Sequence, residues 1–253
     1  MRNRLTVAVA ALLLSGTTSL VWAQPKADRE RARIQYRVGV ENMRAEAWEK
    51  AVKSFQDAID IDQEYELAYY MLGRANMPLK RYAQAIAAYS KCRDLYQAQA
   101  GKQFSNAQDA QRVRSNRLTE LDDMIRQVQS APPSARTQDQ LRQLQDRRQR
   151  VQDALSGGSM QSLEATVPPW VSLALGSAYF RAEQFADAER EYKSTVAADS
   201  KAGEAHNNLA VLYLQTGRYD EADKSVKAAE KSGFRVNPML KEDIAGRKKP
   251  GTN

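Results

Sequence analysis

Leu175-Gly176-Ser177-Ala178-Tyr179-Phe180-Arg181-Ala182-Glu183-Gln184-Phe185-Ala186-Asp187-Ala188-Glu189-Arg190-Glu191-Tyr192 is the stretch on which the fold turns. It holds a small residue, an alanine twelve positions later, an aromatic three before that alanine and a bulky apolar residue four after it. The same order recurs three more times. The small residues are Gly39, Gly73, Gly176 and Ala210, and the alanines are Ala51, Ala85, Ala188 and Ala222. The aromatics are Trp48, Tyr82, Phe185 and Tyr219; the bulky residues are Phe55, Tyr89, Tyr192 and Val226. Within each neighbouring pair the step is 34 residues, a spacing that marks an array whose units cannot bury their apolar faces alone.

Each unit reads as two helices. Val171, Leu175, Ala178 and Tyr179 recur at helical spacing, and Phe185, Ala188, Tyr192 and Thr195 do so again after a polar turn. Thr216-Gly217-Arg218 and Met77-Pro78 supply turn signals at the matching places. Small residues such as Gly73 and Gly176 let the paired helices approach closely, with the alanines as the facing surface and the bulky residues filling the gap to the next unit. Abundant Ala, Leu, Gln, Glu and Arg, and no sustained period-two alternation, make the chain all-α.

Leu72-Gly73 with Ala85 and Tyr89, Leu175-Gly176-x-x-Tyr179 with Ala188 and Tyr192, and Leu209-Ala210-x-x-Tyr213 with Gly217, Tyr219 and Ala222 resemble the tetratricopeptide repeat. The frames are 32–65, 66–99, 169–202 and 203–236. They depart from the family pattern at the early tryptophan, where Gln35, Tyr69, Ser172 and His206 stand, and at the late proline, replaced by Gln63, Gln97, Ser200 and Phe234. The resemblance implies a solenoid of helix pairs whose first helices line a concave groove for a peptide or partner helix. The groove positions it implies are Tyr36, Val40, Arg44, Tyr70, Arg74, Met77, Trp170, Leu173, Ser177, Phe180, Arg181, Asn207, Val211 and Gln215. Family members that clamp a C-terminal carboxylate use lysine and asparagine at several of these places. Here aromatic and apolar residues dominate with arginines beside them, which suits an apolar peptide or helix.

Residues 100–168 interrupt the array. Leu118, Leu121, Ile125 and Val128, then Leu141, Leu144, Val151 and Leu155 beyond Pro132-Pro133, give two narrow apolar stripes expected to form an antiparallel coiled-coil hairpin. It either projects from the solenoid or lies along it, as a self-association arm or as a passive insertion. Arg147-Arg148-Gln149-Arg150, beside Asp146 and Asp153, reads as a solvated face. The repeats therefore fall into two pairs, 32–99 and 169–236, which either dock across the insert or are braced by it. Residues 237–253 read as a capping helix, opened by Asn237-Pro238, and a disordered tail.

The chain begins with Arg2 and Arg4, an apolar run from Leu5 to Leu14, and Val21-Trp22-Ala23, the layout of a secretory signal. Cleavage after Ala23 is expected, with an uncleaved anchor as the alternative, and 24–31 as a linker. The run is about ten residues, short for a membrane span. A formal net charge of +7 spread along 253 residues argues against a nucleic-acid groove. A single cysteine, Cys92, cannot close an intrachain disulfide and sits at a small inward helix position. One histidine, His206, and no phosphate loop or metal-ligand spacing leave no catalytic constellation, so neither a cofactor nor a metal is expected. The expected role is a non-enzymatic interaction scaffold of the bacterial envelope, periplasmic or secreted. The alternative is a self-associating envelope assembly or cell-division accessory factor using 100–168.

Overall fold

The computed structural model describes residues 24–100, 104, 106–130, 132–133, 135–157 and 167–248. These residues form eleven helices and no strand. The helices are α1 (Gln24–Arg44), α2 (Trp48–Ile61), α3 (Glu66–Asn76), α4 (Tyr82–Gln99), α5 (Ala107–Gln129), α6 (Ala135–Ser156), α7 (Pro169–Arg181), α8 (Phe185–Ala198), α9 (Gly203–Gln215), α10 (Tyr219–Lys231) and α11 (Pro238–Lys248). The chain divides into two compact units, one ending at Tyr65 and the other beginning at Glu66.

The first unit is the helix pair α1 and α2. Residues 24–31, read as a linker, are instead the opening turns of α1. The helix formers from Lys26 to Ala32 favour this, and Arg29 holds the start of α1 to the end of the pair. Its guanidinium pairs with Asp62, donates to the Glu64 carbonyl at 3.1 Å and lies 4.7 Å from the centre of the Tyr65 ring.

In the second unit α3–α4, α7–α8 and α9–α10 are helix pairs, and α5–α6 is a helical hairpin inserted between the first two. The insert does not break the stack: α4 packs directly on α7, and α8 on α9. Tyr89 of α4 shares a buried cluster with Leu175 and Ala178 of α7, and Tyr96 shares another with Val171. The 34-residue period thus survives the interruption as continuous packing from α3 to α10.

The glycines at the small positions face rings first, and a Cβ on Gly176 would also meet the Ala188 backbone at 3.3 Å. A Cβ on Gly73 would meet the Tyr89 ring at 2.6 Å, and one on Gly176 would meet Tyr192 at 2.8 Å. In the last repeat Ala210 stands where the other units have glycine, and Val226 replaces the ring, so the pair keeps its volume.

The turn inside each pair is the same in all four. Glu46, Lys80, Glu183 and Gly217 have φ of 53°, 57°, 60° and 75°. The following amide reaches back to a helical carbonyl, as in Arg81 to Asn76 at 3.1 Å and Arg218 to Tyr213 at 2.8 Å. This satisfies the orphan carbonyls that end each first helix.

The hairpin touches the solenoid at α4. Asn106 caps α5 by accepting from the Asp109 amide at 2.8 Å. Arg148 of α6 donates to Asp122 of α5 at 2.7 Å, and the expected stripe supplies buried Leu121 and Val151. Arg117 of α5 donates to the Tyr96 hydroxyl of α4 at 3.0 Å. At the other end α11 packs on α10, burying Leu240 and Ile244 in the last core cluster. The signal-like segment 1–23 and the residues after 248 lie outside the described residues.

Candidate interaction groove

Helical spacing alone puts Tyr70 and Arg74 on one stripe of α3, with Met77 just past its end. Leu173, Ser177 and Phe180 form the corresponding stripe of α7, and Asn207 and Val211 that of α9. Arg74, Arg181 and Gln215 are exposed, while Tyr70, Met77, Trp170, Leu173, Ser177, Phe180, Asn207 and Val211 are half-buried. Half-burial has a cause: each of these apolar side chains rests its inner edge on a core cluster and leaves its outer edge open. Leu173, Phe180 and Val211 rest on the cluster around Leu209 and Tyr213, and Tyr70 and Met77 on the one around Tyr89.

The structure brings Tyr70 and Trp170 together although 100 positions separate them in sequence. Their ring centroids lie 4.4 Å apart at 74°, and Trp170 meets Tyr96 at 5.9 Å and 89°, both edge-on contacts that aromatic quadrupoles favour. Trp170 therefore does two jobs at once, sealing α4 against α7 and presenting ring surface on the stripe. Phe180 is backed by Phe185 at 5.6 Å. Ser177 donates to the Leu173 carbonyl at 2.9 Å and accepts from the Tyr192 hydroxyl at 3.4 Å. Burial pushes that tyrosine's pKa up to about 12. Leu214 was missed by the sequence reading. It stands at the position of Met77 and Phe180 in its repeat and is half-buried on the same cluster, so the 34-residue step was the signal for it.

The three positions in the first unit behave differently. Tyr36 is 4% exposed and packs on Phe55 at 5.8 Å and Tyr65 at 5.3 Å; Val40 is 8% exposed. Both offer core packing in place of binding surface. Arg44 is exposed and paired with Glu41 at 2.7 Å.

Elsewhere the polar groups serve the scaffold. Cys92 is fully buried beside Tyr96 and Val171, and burial, with Glu66 nearby, pushes its thiol pKa well up, which keeps it protonated and inert. The His206 ring lies 3.1 Å from the Ser200 carbonyl. Among the described residues no group of three His, Cys, Asp or Glu side chains is placed to hold a metal. A depression of about 280 Å³ at the α9–α10 turn is lined by Gly217, Arg218, Tyr219, Asp220, Glu221 and Arg247, with no nucleophile–base pair. No helix among the described residues is long and apolar enough to cross a membrane.

At the joint between the last two repeats, Glu189 accepts from Arg218 at 3.1 Å and from the Tyr213 hydroxyl at 3.0 Å, and pairs with Lys193 at 2.6 Å. The Arg218 hydrogen bonds hold its carboxyl at about 2, below the ordinary 4.5. A depressed folded-state pKa stabilises the fold above the unfolded value. That contribution is lost as pH falls from about 4.5 towards 2. Urea midpoints at neutral pH and at about pH 3 are expected to differ less in E189Q than in the parent chain; equal differences would remove Glu189 from this role.

Tetratricopeptide repeat family models match residues 67–98 and 173–233. No curated protein matches the chain. Among solved structures, the type IV pilus biogenesis factor PilW is 18% identical over 85% of each chain, with a TM-score of 0.40. TTC0263, a TPR protein of Thermus thermophilus, is 19% identical over 85% of this chain and 98% of its own, at 0.35. The TPR2AB domain of yeast Sti1, solved as a complex with pHSP90, is 11% identical over 87% and 99%, at 0.30. Likenesses of this size carry no functional argument. The matches to the repeat itself agree with the helix pairs α3–α4, α7–α8 and α9–α10, and over those stretches this chain is built of tetratricopeptide repeats.

Proposed function

We propose that the protein is a non-enzymatic interaction scaffold of the bacterial envelope, binding an apolar peptide or helix of a partner along α3, α7 and α9. The observation that carries this reading is the stripe itself. Tyr70, Met77, Trp170, Leu173, Phe180 and Val211 keep open outer edges on a rigid stack, with Arg74 and Arg181 exposed beside them. Pre-formed aromatic surface of this kind takes a partner with little ordering cost. Tetratricopeptide arrays in general present such surfaces to proteins. The envelope assignment rests on Arg2, Arg4, the run from Leu5 to Leu14 and Ala23, which would direct export and leave Gln24 as the mature N-terminus.

The test is site-specific photocrosslinking in cells. A crosslinker at Arg181 is expected to trap one discrete protein, and a crosslinker at exposed Lys224 on α10 is not. Adding R74E is expected to weaken the Arg181 adduct at least about fivefold, because rim charges steer encounter, with helicity unchanged. The same adducts from both positions would end the groove assignment.

A further inference from the structure

The outer face of α1 stands out against the regularity of the array. Positions 34 and 38 correspond, repeat for repeat, to Val171 and Leu175 and to Ala205 and Leu209. In the second unit those four residues are 0%, 0%, 0% and 5% exposed, because the preceding helix, α4 or α8, lies on them. On α1, Ile34 is 51% and Val38 46% exposed. These are two of the three large apolar side chains that stand exposed among the described residues, and they lie one helical turn apart. The last repeat is treated oppositely, since α11 buries Leu240 and Ile244 against it. A copy could not add its α1 there head-to-tail without displacing α11. The open face is left to meet its own kind.

The residues around it are arranged for that. Arg31, Ile34, Val38 and Glu41 follow one another at steps of 3, 4 and 3, the spacing of a helix–helix seam. Read backwards the series is acidic, aliphatic, aliphatic, basic. Two such helices laid antiparallel about a two-fold axis level with Tyr36 put Ile34 opposite the second copy's Val38. They put Arg31 opposite the second copy's Glu41, twice over. An isologous contact requires this self-complementarity. Arg31 now pairs with half-buried Asp28, and Glu41 with Arg44 at 2.7 Å; Arg31, Glu41 and Arg44 are exposed, where a new partner exchanges for the old at little cost.

We propose that α1 is a homodimer interface, pairing antiparallel with α1 of a second copy through Ile34, Val38, Arg31 and Glu41. A 21-residue helix is about 30 Å long. The contact is therefore smaller than a standard interface, and the dimer is weak and concentration-dependent.

Sedimentation equilibrium tests it on the full 253-residue chain and, in parallel, on the chain from Gln24, which carries all eleven described helices. Both are expected to show a monomer–dimer equilibrium. I34E/V38E is expected to be monomeric throughout with an unchanged circular dichroism spectrum. R31E and E41R are each expected to weaken the dimer about tenfold by setting like charges opposite one another, and R31E/E41R to restore it. The restoration keeps the test decisive even if the apolar variant folds poorly. A monomeric parent chain at every concentration overturns the proposal. So does a dimer indifferent to I34E/V38E, which would place association elsewhere, in the hairpin for instance. A dimer from Gln24 but a monomer from the full chain would mean that residues 1–23 cover the face, and also overturns it. Failure of the double charge reversal to restore the dimer overturns the antiparallel pairing.

Discussion

Y89A is expected to lower the stability of the second unit by about 3–5 kcal/mol, the usual cost of removing a large buried aromatic. The Tyr89 ring is 2% exposed and lies across Gly73 in its own repeat. It also shares a core with Leu175 and Ala178 of α7. Truncation therefore opens a cavity in one of the two buried clusters that join α4 to α7. A loss of this size is a large part of the total stability of an ordinary domain. The hydroxyl is dispensable by comparison. Burial pushes its pKa up, so it stays protonated at all ordinary pH, and Y89F is expected to cost less than about 1 kcal/mol. Urea titration of the parent, Y89A and Y89F reads both effects. A Y89A loss under about 1 kcal/mol would mean that α4 and α7 are not held by this cluster.

The contrast between Tyr89 and its neighbours shows what could be read in the sequence. The ring, the glycine beneath it and the alanine four residues before it recur at a fixed step, so their helix pairs were legible without coordinates. Two turns were legible, at Met77-Pro78 and at Thr216-Gly217-Arg218, but the left-handed residue only in the second. Gly217 announces a left-handed residue, whereas Glu46, Lys80 and Glu183 take the same conformation because the pair on either side demands it. Residues 24–31 were misread because the repeat frame opens at 32, and the contacts that order them, from Arg29 to Asp62 and Tyr65, span a distance that periodicity does not register. The stripe on α3, α7 and α9 followed from the repeat, yet the packing of Tyr70 on Trp170 did not, since it depends on the stack crossing the insert. The insert was the least legible part. Its apolar seam was visible, but nothing in the spacing marked Arg114, Arg117 and Glu120, which are 4%, 8% and 3% exposed. Charges are buried only where partners meet them: Tyr96 of α4 and Glu120 meet Arg117, and Phe104 meets Arg114.

Those partners give the second large effect. Arg117 donates to Glu120 at 2.9 Å and to the Tyr96 hydroxyl at 3.0 Å, with its guanidinium 5.2 Å from the centre of that ring. Tyr96 is itself fully buried, and burial holds its pKa well up, so the hydroxyl remains protonated and accepts through its oxygen. R117M leaves the Glu120 carboxylate buried without this cation, and the expected loss is about 3–5 kcal/mol. The companion variant tells a broken pair from a useful one. With both charges gone, R117M/E120M is expected to recover most of that loss, because apolar side chains of similar volume avoid the desolvation cost of the pair. Hydrogen exchange locates the change: in R117M the amides of α5 are expected to lose protection before those of α9 and α10, as the hairpin lifts from α4. If the double variant is as unstable as R117M, the two residues do not act as a unit. If α5 keeps its protection in R117M, the hairpin is held to the solenoid by its apolar residues and not by Arg117.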